Sequence, residues 1–421
     1  MRTTVVGLAL LAAGAVLVVA GVLPVADLAH LAARVGPVLA FVVGMTVVTD
    51  LAARAGLFDT VAARVARWGR GSTLALWGLV VLAGTVATAF LSLDTTAVLL
   101  TPVVVVLARH VDVPPLPFAL TTVWLANAGS LWLPTSNLTN LLALDALGGP
   151  SPLGFARLTW APALVATVVP MLVLLVLFRR ALTGRHRPAA PPPPPRDRTL
   201  LRVAAVTVTL LVPALVSGVP VWVPALAAAG VLAGAFALRE RAARRRGRGR
   251  TGRPAAPGIP AVPDVATTSD VPAAEEPSAL RWTLVPWPTL VLVSGLFVVF
   301  EAAHGAGLGT WLARVAGSGE GPADLVRVAM TGMLGANLVD NLPAYLALEP
   351  ATGSPARLVA LLVGVDAGPL VTPWASLATL LWHDRLTRLG VTVRWGGYMA
   401  LGVVVAPLTV LLATLTLAAT A

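Results

Sequence analysis

Long stretches of apolar residues without a single charge run through this chain of 421 residues. Five of them reach or approach the roughly 20 residues needed to cross a ~30 Å hydrocarbon core: residues 5–22, 158–178, 203–219, 284–300 and 398–419. A cleaved secretory signal is the alternative for residues 5–22, but this run is long and further spans follow it. Because lipid cannot satisfy exposed backbone groups, we expect an all-α polytopic membrane protein.

Every basic residue is arginine: the chain carries 30 Arg and no Lys, and its net charge is +11. Without lysine there can be no phosphate-binding G-x-x-x-x-G-K-[ST] loop, which excludes ATP hydrolysis by that route. The arginines cluster between apolar runs, at residues 54–70, 179–202, 239–253 and 385–394. Placing all four clusters in the cytoplasm predicts a multi-pass protein of the cell membrane with a cytoplasmic N-terminus. The charge therefore indicates topology, and nucleic acid is not an expected partner.

Two segments are predicted to enter and leave the membrane on the same side. Residues 72–108 are too long for one span, yet Arg70 and Arg109 at their ends both favour the cytoplasm. A hairpin with its tip near residues 92–96 satisfies both arginines. By the same reasoning residues 323–349 form a hairpin that enters from outside. Approach from opposite faces is the pattern of an inverted repeat.

An internal repeat supports this interpretation. Seven of sixteen positions are shared by two segments, residues 127–142 (NAGSLWLPTSNLTNLL) and residues 366–381 (DAGPLVTPWASLATLL). Matches of leucine and alanine carry little weight in so apolar a chain, but Gly129 with Gly368 and Pro134 with Pro373 carry more. Because glycine and proline interrupt helices, each segment predicts a broken helix. We expect two inverted repeats, each with a re-entrant hairpin and a broken helix, and about nine spans plus two hairpins.

These elements divide the chain into two membrane halves and a central region. The predicted boundaries are a first half at residues 1–183 (hairpin 72–108, broken helix 116–144), a linker at 184–198, a connecting helix pair at 199–238, a second linker at 239–281 and a second half at 282–421 (hairpin 323–349, broken helix 356–382). Both linkers are rich in Pro or Arg and cannot bury a core, so we place them in the cytoplasm. The second is either a solvated anchor or a site for a partner or anionic lipid.

Polar residues cluster at the predicted hairpin tips. Asp94, Thr95 and Thr96 follow one another in FLSLDTTAVLLTP, and Asp340 precedes Asn341 in ANLVDNLPAYL. A charge at the bilayer centre costs at least ~2.5–3.5 kcal/mol, so an acid there needs a partner, a proton or water. Each acid is either a helix N-cap or part of a transport site, and the two roles are compatible.

The broken helices bring unwound backbone to membrane depth. Such backbone is tolerated only where it is buried in protein or lines a cavity. Half-helix N-termini there present partial positive charge, and freed carbonyls can coordinate cations. Asp366 begins the second broken segment where Asn127 begins the first, as a helix-end residue or as a ligand for a proton or Na⁺. Proline kinks without function are the alternative.

Catalytic and metal-binding patterns are missing from the sequence. There is no Cys, no H-E-x-x-H and no G-x-S-x-G, and the five His lack metal-ligand spacing. We therefore expect no enzymatic activity, no cofactor and no bound metal. An intramembrane enzyme or scaffold is the least favoured class.

Four motifs resemble the arsenical pump permease family, which exports arsenite and antimonite: SLDTTAVLLTPVV, ANAGSLWLPTSNLTNLL, ANLVDNLPAYLALEP and GVDAGPLVTPWASLATLLW. This family is part of the ion transporter superfamily, which also contains sodium-coupled dicarboxylate and citrate carriers and sodium/proton antiporters. The resemblance extends from about residue 41 to residue 417, without the central linker. It implies a scaffold domain and a transport domain, a homodimer and an elevator-like movement.

In relatives the hairpin tips and broken-helix loops form the substrate and ion sites. Carried over by position, the resemblance nominates Ser92, Asp94, Thr95, Thr96, Thr135, Ser136, Asn137, Asn140, Asn337, Asp340, Asn341, Thr372 and Ser376. Asn127 and Asp366 complete the candidate set. The family usually carries Asn where this chain has Asp340 and Asp366. The extra carboxylates favour proton or cation coupling and weaken the arsenite assignment.

The leading functional hypothesis is a secondary active transporter that couples efflux of arsenite or antimonite to protons. A sodium- or proton-coupled dicarboxylate or citrate carrier, or an Na⁺/H⁺ antiporter, is the alternative on the same fold. The expected partners are a small inorganic oxyanion or metalloid as substrate, H⁺ or Na⁺ as coupling ion, and the lipid bilayer. A second copy of the chain and a separate ATPase subunit are further candidates.

Overall fold

The computed structural model describes residues 2–21, 23–185, 197–250 and 284–420. In the first two ranges the helices are α1 Arg2–Val19, α2 Val25–Arg54, α3 Leu57–Trp68, α4 Thr73–Leu91, α5 Leu93–Thr95, α6 Thr101–His110, α7 Pro115–Ala128, α8 Leu138–Ala146, α9 Pro152–Leu177 and α10 Arg179–Leu182. The third range contains α11 Arg198–Val216 and α12 Trp222–Arg250. The last contains α13 Trp287–Gly305, α14 Leu308–Ala316, α15 Pro322–Val339, α16 Asn341–Leu348, α17 Pro355–Ala367, α18 Leu377–Arg388 and α19 Trp395–Thr420. Most of both predicted linkers lies outside the described residues, and the domain boundaries stay a prediction.

Eight of these helical stretches are long and apolar enough to cross a bilayer. Two of the eight, Thr73–Leu91 and Leu93–His110, are the arms of the first predicted hairpin. The other six, the shorter apolar helix Thr4–Val19 and the two broken helices account for the nine predicted spans. The prediction of an all-α polytopic membrane protein is confirmed.

In each hairpin the start of the first arm and the end of the second arm lie close together. The short surface helix α3 contacts α4 and α6, the two arms of the first hairpin, and α14 likewise contacts α15 and α16. In the second hairpin the buried Arg357 guanidinium donates to the Gly319 carbonyl before α15 and to the Thr352 carbonyl after α16, both at 2.6 Å. One side chain can bridge entry and exit only if the segment turns back. This is the geometry of a re-entrant hairpin.

The order of elements repeats along the chain. The series α2 to α9 corresponds to the series α13 to α19: a long span, a short surface helix, a hairpin, a broken helix and a final long span. The helix that precedes each series packs against the first span of the other series. Helix α1 packs along α13, and α12 packs along α2. At the first of these contacts a Cβ on Gly295 would lie 2.7 Å from Leu10 Cβ, so glycine is required for the approach of the two backbones.

An ion-pair cluster ties α2 to the ends of α8 and α16. Arg34 of α2 pairs with Glu349, just after α16, and its Nε lies 3.3 Å from Asp145 of α8. The Glu349 side chain is 11% exposed and the Asp145 side chain 71%. Removing one partner of a buried ion pair costs more stability than removing one partner of a solvated pair. The Arg34–Glu349 pair should therefore contribute more to the stability of the fold than the Arg34–Asp145 pair.

We expect Arg34→Gln to lower the free energy of unfolding by about 1–3 kcal/mol, because it leaves the largely buried Glu349 without its cation. Asp145→Asn serves as the matched control and should cost no more than about 0.5 kcal/mol, because that acid is solvated. Adding Glu349→Gln to Arg34→Gln should recover part of the loss. Thermal unfolding of the purified protein measures these variants and Glu349→Gln alone, and strictly additive effects of Arg34→Gln and Glu349→Gln would contradict the coupling.

Candidate functional site

The two hairpin tips share one unusual backbone conformation. Ser92 has φ 107° and ψ 160°, and Asp340 has φ 117° and ψ 155°. Non-glycine residues avoid this region, at a cost of order 1–3 kcal/mol, and residues held there cluster at functional sites. Each of the two is also the N-cap of the returning arm, since Ser92 Oγ accepts from the Thr95 amide and Asp340 Oδ1 from the Leu342 amide at 3.2 Å. The structural counterpart of Asp340 is therefore Ser92, whereas Asp94 lies two residues further on.

Each hairpin tip packs against the broken helix of the other half. Leu93–Thr95 and the π-helical turn Thr96–Leu100 contact α18, and α16 contacts α8. The second tip also binds the broken helix of its own half, because the Asn341 amide donates to the Ala375 carbonyl at 3.0 Å. Each tip therefore lies beside the half-helix that restarts after the unwound segment of the other half.

Asp94 and Asp340 lie on these two tips. Their carboxylates are close enough to interact electrostatically. The Asp94 side chain is exposed and that of Asp340 half-buried. We call the region between these two carboxyl groups the crevice. The backbone amide of Leu342 donates to the Asp340 carboxyl group, and in the described residues no Arg forms an ion pair with either acid. Such a crevice attracts cations or neutral hydrogen-bond donors and repels anions.

Asn337 holds the second unwound loop in place. Its side-chain amide donates to the Gly368 carbonyl at 2.8 Å and accepts from the Val371 and Thr372 amides at 3.2 and 3.0 Å. Its backbone carbonyl accepts from Thr372 Oγ1 at 2.8 Å and from Trp374 Nε1 at 3.0 Å. In the first half Thr135 Oγ1 donates to the Ala89 carbonyl at 2.9 Å. Thr135 corresponds to Trp374 and Ala89 to Asn337, so in both halves a side chain of the unwound loop donates to the same carbonyl of the first hairpin arm.

The first unwound loop satisfies most of its own polar groups. Ser136 Oγ donates to the Leu133 carbonyl and accepts from the Leu133 amide. Asn140 Nδ2 donates to the carbonyls of Ser130 and Leu133 at 2.8 and 3.2 Å. These contacts give Ser136 and Asn140 the role of shaping the loop.

A second polar layer lies in the protein interior, where the broken helices cross. Asp366 of α17 is fully buried, and its Oδ1 accepts from Asn137 Nδ2 at 2.9 Å and from Thr139 Oγ1 at 2.7 Å. In the corresponding place Asn127 Nδ2 donates to Thr379 Oγ1 of α18 at 3.2 Å. Each broken helix thus reaches the restarted half-helix of the other half.

The candidate residues fall into three groups. Ser92, Asp94, Asn337, Asp340 and Thr372 are the exposed or half-buried residues around the crevice. The buried layer contains Asn127, Asn137, Asp366 and Ser376, the last being the N-cap of α18. Thr95, Thr96, Thr135, Ser136, Asn140 and Asn341 are buried in the tips and loops.

Two residues of the buried layer, Thr139 and Thr379, were not predicted from the sequence; they contact Asp366 and Asn127 from the opposite halves. The signal was available in the repeat, because both lie within three residues of a half-helix N-cap. No group of three or more His, Cys, Asp or Glu side chains placed to hold a metal occurs in the part of the chain that the structure describes.

Comparison with known proteins agrees with this architecture. The pattern of the citrate transporter family matches residues 1–379. An arsenical pump membrane protein of Escherichia coli is 29% identical over 413 residues, covering 93% of this chain and 88% of the relative. The arsenical pump membrane protein of Escherichia coli strain K12 is 28% identical over 383 residues, covering 86% and 81%. That of Yersinia enterocolitica is 26% identical over 410 residues, covering 93% and 88%.

These matches confirm the predicted resemblance to the arsenical pump permeases and the ion transporter superfamily. They extend over nearly the whole chain, so both halves take part in the similarity. The family and all three relatives are transport proteins by name, and the helices described above suit that role. The chain is a membrane transporter and belongs to the citrate transporter family.

Proposed function

We propose that this protein is a secondary active transporter that exports arsenite or antimonite across the cytoplasmic membrane in exchange for protons. The observation that carries the proposal is the pair of hairpin tips, one from each half, whose acids Asp94 and Asp340 lie within electrostatic range of each other. A re-entrant tip from each half reaches this place, so it is the natural position for a substrate in a repeat-built carrier.

The charge of the crevice favours a neutral substrate over an organic anion. At neutral pH arsenite is largely the uncharged trihydroxide, whose hydroxyl groups can donate hydrogen bonds to carboxylates. Citrate and dicarboxylates are anions, and two neighbouring acids without an Arg in contact would repel them. The names of the curated relatives, all arsenical pump membrane proteins, support the same choice.

The alternative is a citrate or dicarboxylate carrier or an Na⁺/H⁺ antiporter. The name of the matching family favours the carrier, and a pair of acids open to solvent would also suit a cation. These functions differ in the ion or molecule that moves, so transport measurements separate them.

The test is transport in everted membrane vesicles from a host that lacks arsenite efflux. We expect vesicles containing this protein to accumulate arsenite when an inwardly acidic pH gradient is imposed, and the same host to grow on arsenite and antimonite. Empty-vector vesicles are the control. Sodium-dependent citrate uptake, or Na⁺/H⁺ exchange without arsenite transport, would refute the proposal in favour of the corresponding alternative.

A further inference from the structure

One acid of the buried layer has an oxygen atom with no hydrogen-bond partner. Asp366 is 0% exposed, and both of its hydrogen bonds, from Asn137 and Thr139, go to Oδ1. Among the described residues Oδ2 has no hydrogen-bond partner. Asn127 Oδ1 and Ser376 Oγ in the same layer are also without a partner among the described residues, but of these three groups only the Asp366 carboxyl group can take up a proton.

No positive charge neutralises Asp366 in the described part of the chain. The phenol of Tyr345 on α16 lies within electrostatic range of Asp366 and is neutral at physiological pH. The other ionisable side chains on helices around α17 lie at helix ends, at the surface or against other partners: Asp145, Arg157, Asp324, Arg327, Asp340, Glu349, Arg357 and Tyr398. An isolated buried carboxylate is far less stable than the neutral acid.

We propose that Asp366 is the proton carrier of the transport cycle and that it holds its proton on Oδ2 in the arrangement described here. The inference deepens the proposed function and rests on it. The proton is the smallest ligand that removes the buried charge, and it needs no further coordinating atoms. The two donors on Oδ1 hold the carboxyl group in place in both protonation states.

The proton moves without any change in covalent bonds of the substrate. When the crossing point of the broken helices opens to water on one side of the membrane, the O–H bond of Asp366 breaks and the proton passes to water. The ionised group keeps its hydrogen bonds from Asn137 and Thr139. On the other side it takes up a proton from water and becomes buried again. Net movement of one proton per cycle results.

The two halves are not equivalent in this respect. The position in the first half that corresponds to Asp366 is Asn127, whose amide cannot carry the proton. The amide also shows that a neutral, isosteric group fits at such a crossing point. Asp366→Asn should therefore fold, and it removes one titratable proton while it keeps the size of the side chain.

Infrared spectroscopy tests the protonation directly on purified protein in lipid vesicles near neutral pH. We expect a carbonyl band of a protonated carboxylic acid that is present in the wild type and missing in Asp366→Asn. Asp384→Asn is the control, because that acid is solvated and paired with Arg388 on the surface of α18. Identical acid bands in the wild type and Asp366→Asn would overturn the proposal.

Vesicle flux tests the coupling. The pH gradient should no longer drive arsenite accumulation in Asp366→Asn, whereas Asp384→Asn should respond like the wild type. Thr139→Val removes a donor that favours the ionised form, so the pH of half-maximal flux should move upward. A full response to the gradient in Asp366→Asn would overturn the proposal. If wild-type vesicles do not transport arsenite, the proposed function is wrong, while the infrared comparison still decides whether Asp366 is protonated.

Discussion

Replacing Asp340 by Asn is expected to reduce arsenite efflux at least tenfold, which corresponds to about 1.4 kcal/mol in the transport barrier. Asn and Asp are equally good N-caps, so the hydrogen bond from the Leu342 amide should persist. Asn also tolerates positive φ better than most residues. The substitution therefore removes the charge at the second hairpin tip and leaves the tip itself in place.

The same reasoning applies to Asp94→Asn, which removes the acid at the first hairpin tip. Asp94 is exposed and is not the cap of its hairpin arm, so the protein should keep its stability. Arsenite uptake into everted vesicles and thermal unfolding should be measured together, with Asp384→Asn as a control acid outside the crevice. Asp340→Ala is a useful contrast, because it also removes the cap and should cost about 1 kcal/mol of stability. Full efflux in both Asn variants would rule out a role of the acidic crevice.

Asn337→Ala is expected to destabilise the protein by about 3 kcal/mol and to abolish transport. The side chain makes three hydrogen bonds to the unwound loop, and each half-buried group left unpaired costs about 1 kcal/mol. The loop has little room to adjust. A Cβ on Gly402 of α19 would lie 2.1 Å from the Leu370 carbonyl oxygen, which shows how closely α19 covers this segment.

Thr372→Val is the graded control for this prediction. It removes only the hydrogen bond from Thr372 Oγ1 to the Asn337 carbonyl, so we expect a loss of about 1 kcal/mol. Thermal unfolding in detergent gives the order of the two variants, and vesicle flux gives their activity. If Asn337→Ala were no less stable than Thr372→Val, the Asn337 side chain would not be what stabilises the unwound loop.

Local features of the sequence were sufficient for the helices and their interruptions. Apolar runs predicted the spans, and Gly129, Pro134, Gly368 and Pro373 predicted where two helices break. The first hairpin was predicted from the two arginines at its ends and a run too long for one span. These signals suffice because lipid forces every exposed backbone group into a helix, so length and composition alone limit the choices.

Only the tertiary structure decided which polar residues meet. Asp366 and Asn137 are 229 positions apart and Arg34 and Glu349 are 315 positions apart, yet each pair is in contact. Backbone angles show that Ser92 is the structural equivalent of Asp340. The packing of distant segments brings the Asn337 side chain to the unwound loop that it stabilises. Side-chain partners are chosen by packing between distant segments, which leaves no periodic trace in the sequence, whereas helices and their breaks depend on neighbouring residues.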